Sequence, residues 1–150
     1  MHLLRFAALA LFACLAACGP APGTVTELNV RTIRFPDGTS IKADLAVLEA
    51  DLVKGMKYRE SLDEDRGMLF IYANEGMYPF WMYEVKVPLD MLWLDKDRKI
   101  VQLVHQCPPC AGPPAQCPSY GGQVMAQYIL EVKAGVAKKH GLRPGMVLDF

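Results

Sequence analysis

The sequence predicts a mainly β, α+β fold: one compact, antiparallel, barrel-like domain with two short helices. Three observations carry that prediction. Short apolar runs rich in β-branched and aromatic residues recur between turn signals from Thr24 to Phe150. Helical spacing of apolar residues occurs in only two places, near residues 50–58 and 134–140. Strands and helices do not alternate as in a doubly wound sheet, and no internal repeat is visible.

Each element follows from local chemistry. Val25, Leu28, Val30, Ile33 and Phe35 lead to Pro36-Asp37-Gly38-Thr39, where proline sets φ and glycine supplies a positive one, and Ile41 to Leu48 returns, so 24–49 reads as a β-hairpin. Ala50 to Tyr58 reads as a helix with Asp51 as its cap and Leu52, Val53 and Met56 on one face, although Gly55 weakens it. Asp63-Glu64-Asp65 is an exposed turn before the buried strand Gly67–Tyr72. Met77–Tyr83 and Val85–Leu94 read as strands broken at Pro88. After the polar turn Asp95–Arg98, Lys99–His105 pairs back on Met91–Leu94. Gln106–Gly122 holds five prolines, three cysteines and three glycines, and is a loop long enough to need a function or a covalent clamp. Gln127–Val132 is a strand, Ala134–His140 a short helix ended by Gly141, and Met146–Phe150 a last strand.

The first residues have a different character. His2 and Arg5 precede an apolar run from Phe6 through Cys14, and the small residues Ala16 and Ala17 lead into Cys18. The run is too short to cross a hydrocarbon core of roughly 30 Å, so it reads as a secretory signal. Leu15-Ala16-Ala17-Cys18 resembles a bacterial lipobox. That resemblance implies removal of residues 1–17 and acylation of Cys18. Several acyl chains hold a protein to a membrane where one does not. Residues 18–24 are small or proline-rich and form a flexible tether with a reach of roughly 25 Å, so the single domain at 25–150 works close to the membrane surface. Gly19 stands where aspartate often signals inner-membrane retention. The expected location is therefore the cell envelope, with the outer membrane, facing the periplasm, ahead of the inner one.

The whole chain carries 16 basic and 16 acidic side chains, and loss of residues 1–17 removes only Arg5. So balanced a charge gives no long-range field to attract nucleic acid, and no nucleic-acid partner is expected. The membrane, reached through the acyl chains, is the one partner the sequence names.

Three groups of residues could carry chemistry. Asp90 shares a strand face with Leu92 and Leu94 while Leu89, Met91 and Trp93 take the other, so it lies in apolar surroundings and needs a partner. Arg59 and Arg66 are candidates, and the alternative is a carboxylate capping backbone amides. As a catalytic acid or base, Asp90 would work with Arg59, or in a pocket with Trp81 and Tyr120. The run Tyr78–Tyr83 suits either a two-sided core or a stacking platform at Trp81. Finally, Cys107, Cys110 and Cys117 allow three single disulfides in an oxidising compartment, and spacing alone does not choose among them. Cys107-Pro108-Pro109-Cys110 also has redox-dithiol spacing, but Ala111-Gly112-Pro113-Pro114 cannot supply the helix such a motif uses. His105, Cys107, Cys110 and Cys117 together would offer four soft ligands to zinc or copper, against the stiffness of the prolines. No phosphate loop, zinc-protease or nucleophile-elbow motif is present, and no cofactor is implied.

Several segments taken together resemble the bacterial family named domain of unknown function 192. They are Gly55-Met56-Lys57-Tyr58-Arg59-Glu60-Ser61-Leu62, Gly67-Met68-Leu69-Phe70, Phe80-Trp81-Met82, Pro88–Asp95, Cys117-Pro118-Ser119-Tyr120 and Tyr128-Ile129-Leu130-Glu131. The resemblance spans roughly residues 41–150. It implies a small, mostly antiparallel, often exported domain, and no activity. It also places a cysteine just before the Cys-Pro-x-Tyr piece, which favours Cys110–Cys117 as the disulfide and leaves Cys107 over. Where members often carry Lys-Asn-Thr after Phe-Trp-Met, this chain has Tyr83-Glu84-Val85, so a site resting on those polar groups is altered here. The leading functional expectation is a binding or accessory module acting through a groove near Trp81, Asp90 and Tyr120. The alternatives are a small enzyme using Asp90 and a cysteine-dependent metal or redox protein.

Overall fold

The computed structural model describes residues 29–150; the expected signal at 1–17, Cys18 and the tether lie outside them. In chain order the elements are β1 (Val30–Arg34), β2 (Ser40–Ala46), α1 (Glu49–Lys54), β3 (Arg66–Gly76), β4 (Pro79–Trp81), β5 (Leu89–Leu94), β6 (Ile100–Cys107), β7 (Ser119–Gly121), β8 (Ala126–Lys133) and α2 (Val136–Lys139), with a 3-10 turn at Pro114–Gln116. Six strands make one sheet in the order β1-β2-β3-β8-β5-β6, and β4 and β7 form a separate two-stranded ribbon.

The sheet is mixed, not wholly antiparallel. β2 and β3 run parallel, with Lys42 opposite Arg66 and Ala46 opposite Phe70. Parallel neighbours need a crossover, and α1 with the following turn provides it. α1 is also shorter than its expected span, and Asp51 is not its cap: the helix starts after Leu48 with no side-chain cap bond. Nor does the sheet close. β1 and β6 do not pair with each other, so a barrel is not formed by these strands. The expected last strand makes only isolated bridges, Lys99 with Val147 and Arg34 with Asp149. It nevertheless reaches both edges: Ile100 N–H donates to Met146 O at 2.8 Å and Arg34 N–H to Asp149 O at 2.8 Å.

Alternation along the central strands puts a core on each face. One layer joins Ile33, Ile41, Leu69, Leu92, Leu130 and Val132 to α2 and Leu148. The other joins Phe70, Met91, Trp93 and Ile129 to Met56 below α1 and to the β4–β7 ribbon. All six residues of β5 are buried, as befits a strand covered on both sides. The ribbon lies directly on Trp93. Gly121 has φ +67°, and a Cβ there would stand 2.1 Å from Trp93 Cζ2, so only glycine fits. Trp93 Nε1–H in turn donates to Tyr78 O at 2.8 Å.

Candidate functional site

Asp90 is fully buried, and three backbone amides occupy its two oxygens. Gln106 N–H donates to Oδ1 at 2.9 Å, while Gly135 and Ala137 N–H each donate to Oδ2 at 2.9 Å. The geometry has a local cause. The β5–β6 register slips between Leu89 and Met91, and Gln106 takes φ 52°, a bulge that turns its N–H toward the carboxylate. The other two donors open the short helix α2, so Asp90 docks that helix onto the sheet. Arg59 and Arg66 are not its partners: both bind Asp44, at 2.8 Å each. His105 Nδ1 lies 3.7 Å from Oδ1.

The groove expected from Trp81, Asp90 and Tyr120 does not form. Asp90 faces the layer that holds α2, whereas the aromatic ribbon covers the opposite face. Within the ribbon Phe80 pairs with Tyr120 and Trp81 with Ser119. Phe80 turns inward, edge-on to Phe70 at 4.8 Å, and Tyr120 packs with the same core. Trp81 turns outward, 44% exposed, its ring 5.3 Å from that of Tyr83. Lys57 Nζ stands 5.8 Å from the centroid of each of those rings.

Beneath this aromatic pair is a carboxyl that the sequence reading did not single out. Glu131 lies in the middle of β8, with Met68 of β3 opposite on one side and Met91 of β5 on the other. It is only 3% exposed. Burial pushes its pKa from the usual 4.5 up to about 8, with the Arg59 charge pulling weakly the other way. Among the described residues its Oε2 has no hydrogen-bond partner. Glu131 lines a cavity of about 40 Å³ together with Met56, Lys57, Phe70, Trp81 and Tyr83. A buried oxygen without a partner is uncommon in folded proteins, and one that borders a cavity has room for an incoming donor.

Strained backbone adjoins the cavity residues Lys57, Tyr83 and Val85. Tyr58 and Glu84 both have positive φ, 67° and 61°, unusual for residues with side chains. They face one another: Tyr58 N–H donates to Glu84 O at 3.1 Å, and Tyr58 Oη–H donates to Glu84 Oε2 at 2.9 Å. That second bond is the first cause of a raised Tyr58 pKa. The segment at 57–58 separates the small cavity from a cleft of about 470 Å³ bordered by Asn29, Asp44 and Lys54. Tyr58 and Glu84 also border an apolar cleft of about 290 Å³ with Pro109 and Ala111. Backbone strain of this kind is characteristic of sites where position matters more than stability.

The cysteine loop is stapled. Cys110 and Cys117 form a disulfide with Cα atoms 5.7 Å apart. Cys107 is the free cysteine among the described residues, and it is buried. Burial, with the Asp90 and Glu131 charges, pushes its thiol up to about 11, the opposite of what a reactive thiolate needs. The redox dithiol of Cys107 with Cys110 is therefore not formed, since Cys110 is bonded elsewhere. The four-ligand set of His105, Cys107, Cys110 and Cys117 also loses two of its sulfurs to that bond.

Glu131 was within reach of the pattern logic that found Asp90. In Tyr128–Val132, Ile129 and Glu131 share one face and Leu130 and Val132 the other, so a lone carboxylate sits in a strand apolar on both sides. Lys57, Tyr58 and Glu84 left no such mark, because their proximity depends on a turn and a crossover far apart in sequence.

Fold and site together define a small, single-domain β-rich protein with one mixed sheet and, on one face, an aromatic cavity floored by a buried carboxyl. The chain belongs to the DUF192 family, described as Uncharacterized ACR, whose model matches residues 32–150. A crystal structure from Novosphingobium aromaticivorans DSM 12444, of a protein of unknown function, aligns with TM-score 0.74 at 24% identity, covering 89% of this chain and 94% of that one. Another, from Sinorhizobium meliloti 1021 and described as a "putative transcription regulator", aligns with TM-score 0.69 at 27% identity over 79% of this chain and 89% of that one. No protein of curated function matches.

Proposed function

We propose that this protein is a lipid-anchored binding module of the bacterial cell envelope. Its ligand is held between the Met56–Tyr58 turn and the Trp81–Tyr83 rings, with a polar group on Glu131. The observation that carries the site is Glu131 Oε2, buried, unpartnered and bordering a cavity. A purely structural carboxyl in this fold looks like Asp90, whose oxygens are filled by backbone amides. The anchoring half of the reading rests on the signal-like residues 1–17 and the lipobox-like Leu15–Cys18, with outer-membrane placement facing the periplasm favoured by Gly19.

A fragment set of amines, amides, alcohols and carboxylates, titrated against the full-length chain by thermal shift, tests the site. At least one class should stabilise the wild type and leave Glu131→Gln unmoved. If every fragment treats the two chains alike, Glu131 is not a ligand contact. Metabolic labelling with an alkyne-bearing fatty acid tests the anchor: label on the wild type should vanish in Cys18→Ser.

A further inference from the structure

Resting on the binding reading above, we infer that the ligand presents a primary ammonium group, which displaces Lys57 from the Trp81–Tyr83 rings and takes the free oxygen of Glu131 as its counter-ion. Four observations converge on that chemistry. Two electron-rich ring faces meet at the mouth of the cavity, an arrangement that attracts cations. The protein's own ammonium already stands over both rings, Lys57 Nζ at 5.8 Å from each centroid. Lys57 makes no hydrogen bond to its ion-pair partner there, for Glu84 lies at 3.7 Å, and Glu84 Oε2 is already taken by Tyr58. Deeper in, Glu131 Oε2 lacks a donor among the described residues, so the cavity offers a carboxyl that the resident lysine does not satisfy.

Hydrogen-bonding chemistry narrows the class further. Glu131 Oε2 needs a donor: a primary ammonium carries N–H groups, and a trimethylammonium head has none. The organic remainder of the ligand then lies outward over Trp81, where Val53 of α1 is also exposed.

Binding in this way requires Glu131 to ionise, so proton release accompanies it. The groups that face the carboxyl are few. Met68 and Met91 flank it across the sheet, Lys54, Lys57 and Tyr83 line the same cavity, and Arg59, whose charge lowers its pKa, is committed to Asp44. Cys107 and Tyr72 sense its charge but stay neutral, raised to about 11 and about 12. With Glu131 held at about 8, an arriving ammonium finds a mostly protonated partner at pH 6 and a mostly ionised one at pH 9.

The test uses the purified full-length chain in mild detergent with three probes: n-butylammonium, n-butanol and butyltrimethylammonium, each titrated calorimetrically at pH 6 and pH 9. Alkylamines remain protonated across that range, as lysine does. Butylammonium should bind at least tenfold more tightly at pH 9, with butanol and butyltrimethylammonium at least tenfold weaker there. Glu131→Gln should abolish the pH dependence, and Lys57→Met, which removes the competing cation, should tighten butylammonium severalfold without changing butanol. If butanol matches butylammonium and neither responds to pH, the ammonium class is overturned while the Glu131 site stands. If none of the three binds, the ammonium class also falls, and the site is then judged by the fragment comparison alone.

Discussion

Replacing Glu131 with glutamine removes one proton-binding group while keeping the shape of the side chain, so its effect on stability can be worked through. Unfolded, the carboxyl titrates near its ordinary 4.5; folded, it titrates near about 8. Below the unfolded value both states hold the proton and the full stability is present. As pH rises from there, the unfolded chain loses its proton and the folded chain keeps it. Stability then falls by about 1.4 kcal/mol per pH unit, amounting to about 4 kcal/mol by pH 8, and levels off above the folded value. Glutamine cannot titrate, but it brings an amide N–H₂ that the cavity leaves unpartnered, at a cost of about 2 kcal/mol. The variant should therefore be about 1 kcal/mol less stable than the wild type at pH 5 and about 2 kcal/mol more stable at pH 8. Urea unfolding followed by tryptophan fluorescence at several pH values between 5 and 8 measures the difference. Comparing the two chains cancels every other titrating group. A difference that stays constant across the range would refute the claim that burial holds Glu131 protonated.

Asp90→Asn converts one acceptor oxygen into a donor that faces backbone N–H groups, and should cost about 2–4 kcal/mol. Hydrogen exchange at Gly135 and Ala137, or at Gln106, should speed up more than exchange in β3, and equal acceleration everywhere would show that Asp90 is no local dock for α2. Removing the staple as the pair Cys110→Ser and Cys117→Ser should cost about 2 kcal/mol, the value for a short closed loop, and leave the sheet intact. Chemical unfolding under oxidising conditions checks it, and a loss of the cooperative transition would contradict the view that the bond orders only the loop.

Much of the fold was legible because its signals are local. Turn chemistry at Pro36–Thr39 announced the first hairpin, and Asp95–Arg98 announced the pairing of β5 with β6. The parallel pairing of β2 with β3 was not legible, because alternation within a strand says nothing about its neighbour. The last strand failed differently. Met146–Phe150 has strand-like residues, but two sheet edges share its hydrogen bonds, so no continuous ladder develops. At the site, burial of Asp90 was readable from its apolar neighbours on both faces. Its partners were not, since Gln106, Gly135 and Ala137 reach it through a bulge and a helix start that no sequence spacing encodes. Trp81 was readable as a candidate platform, but its alignment with Lys57 and Tyr83 depends on how α1 crosses over the sheet.

The segment that bridges Arg34 and Lys99 matters for how copies of this domain coexist. Every open sheet carries a row of unpaired amides and carbonyls on each outer strand, a template on which another chain can add. Here one short stretch caps one end of both rows, bonding Arg34, the last residue of β1, and Ile100, the first of β6. Its charged neighbours, Arg34 and Asp149, pair across the same junction at 3.0 Å. Charge and coverage together shorten the edge open to strand addition at that end of the sheet. In the tethered state proposed above, domains crowd in two dimensions and meet far more often than in bulk solution. Under such crowding, a few residues that cap one end of both edges at once shorten the template for self-association without enlarging the core.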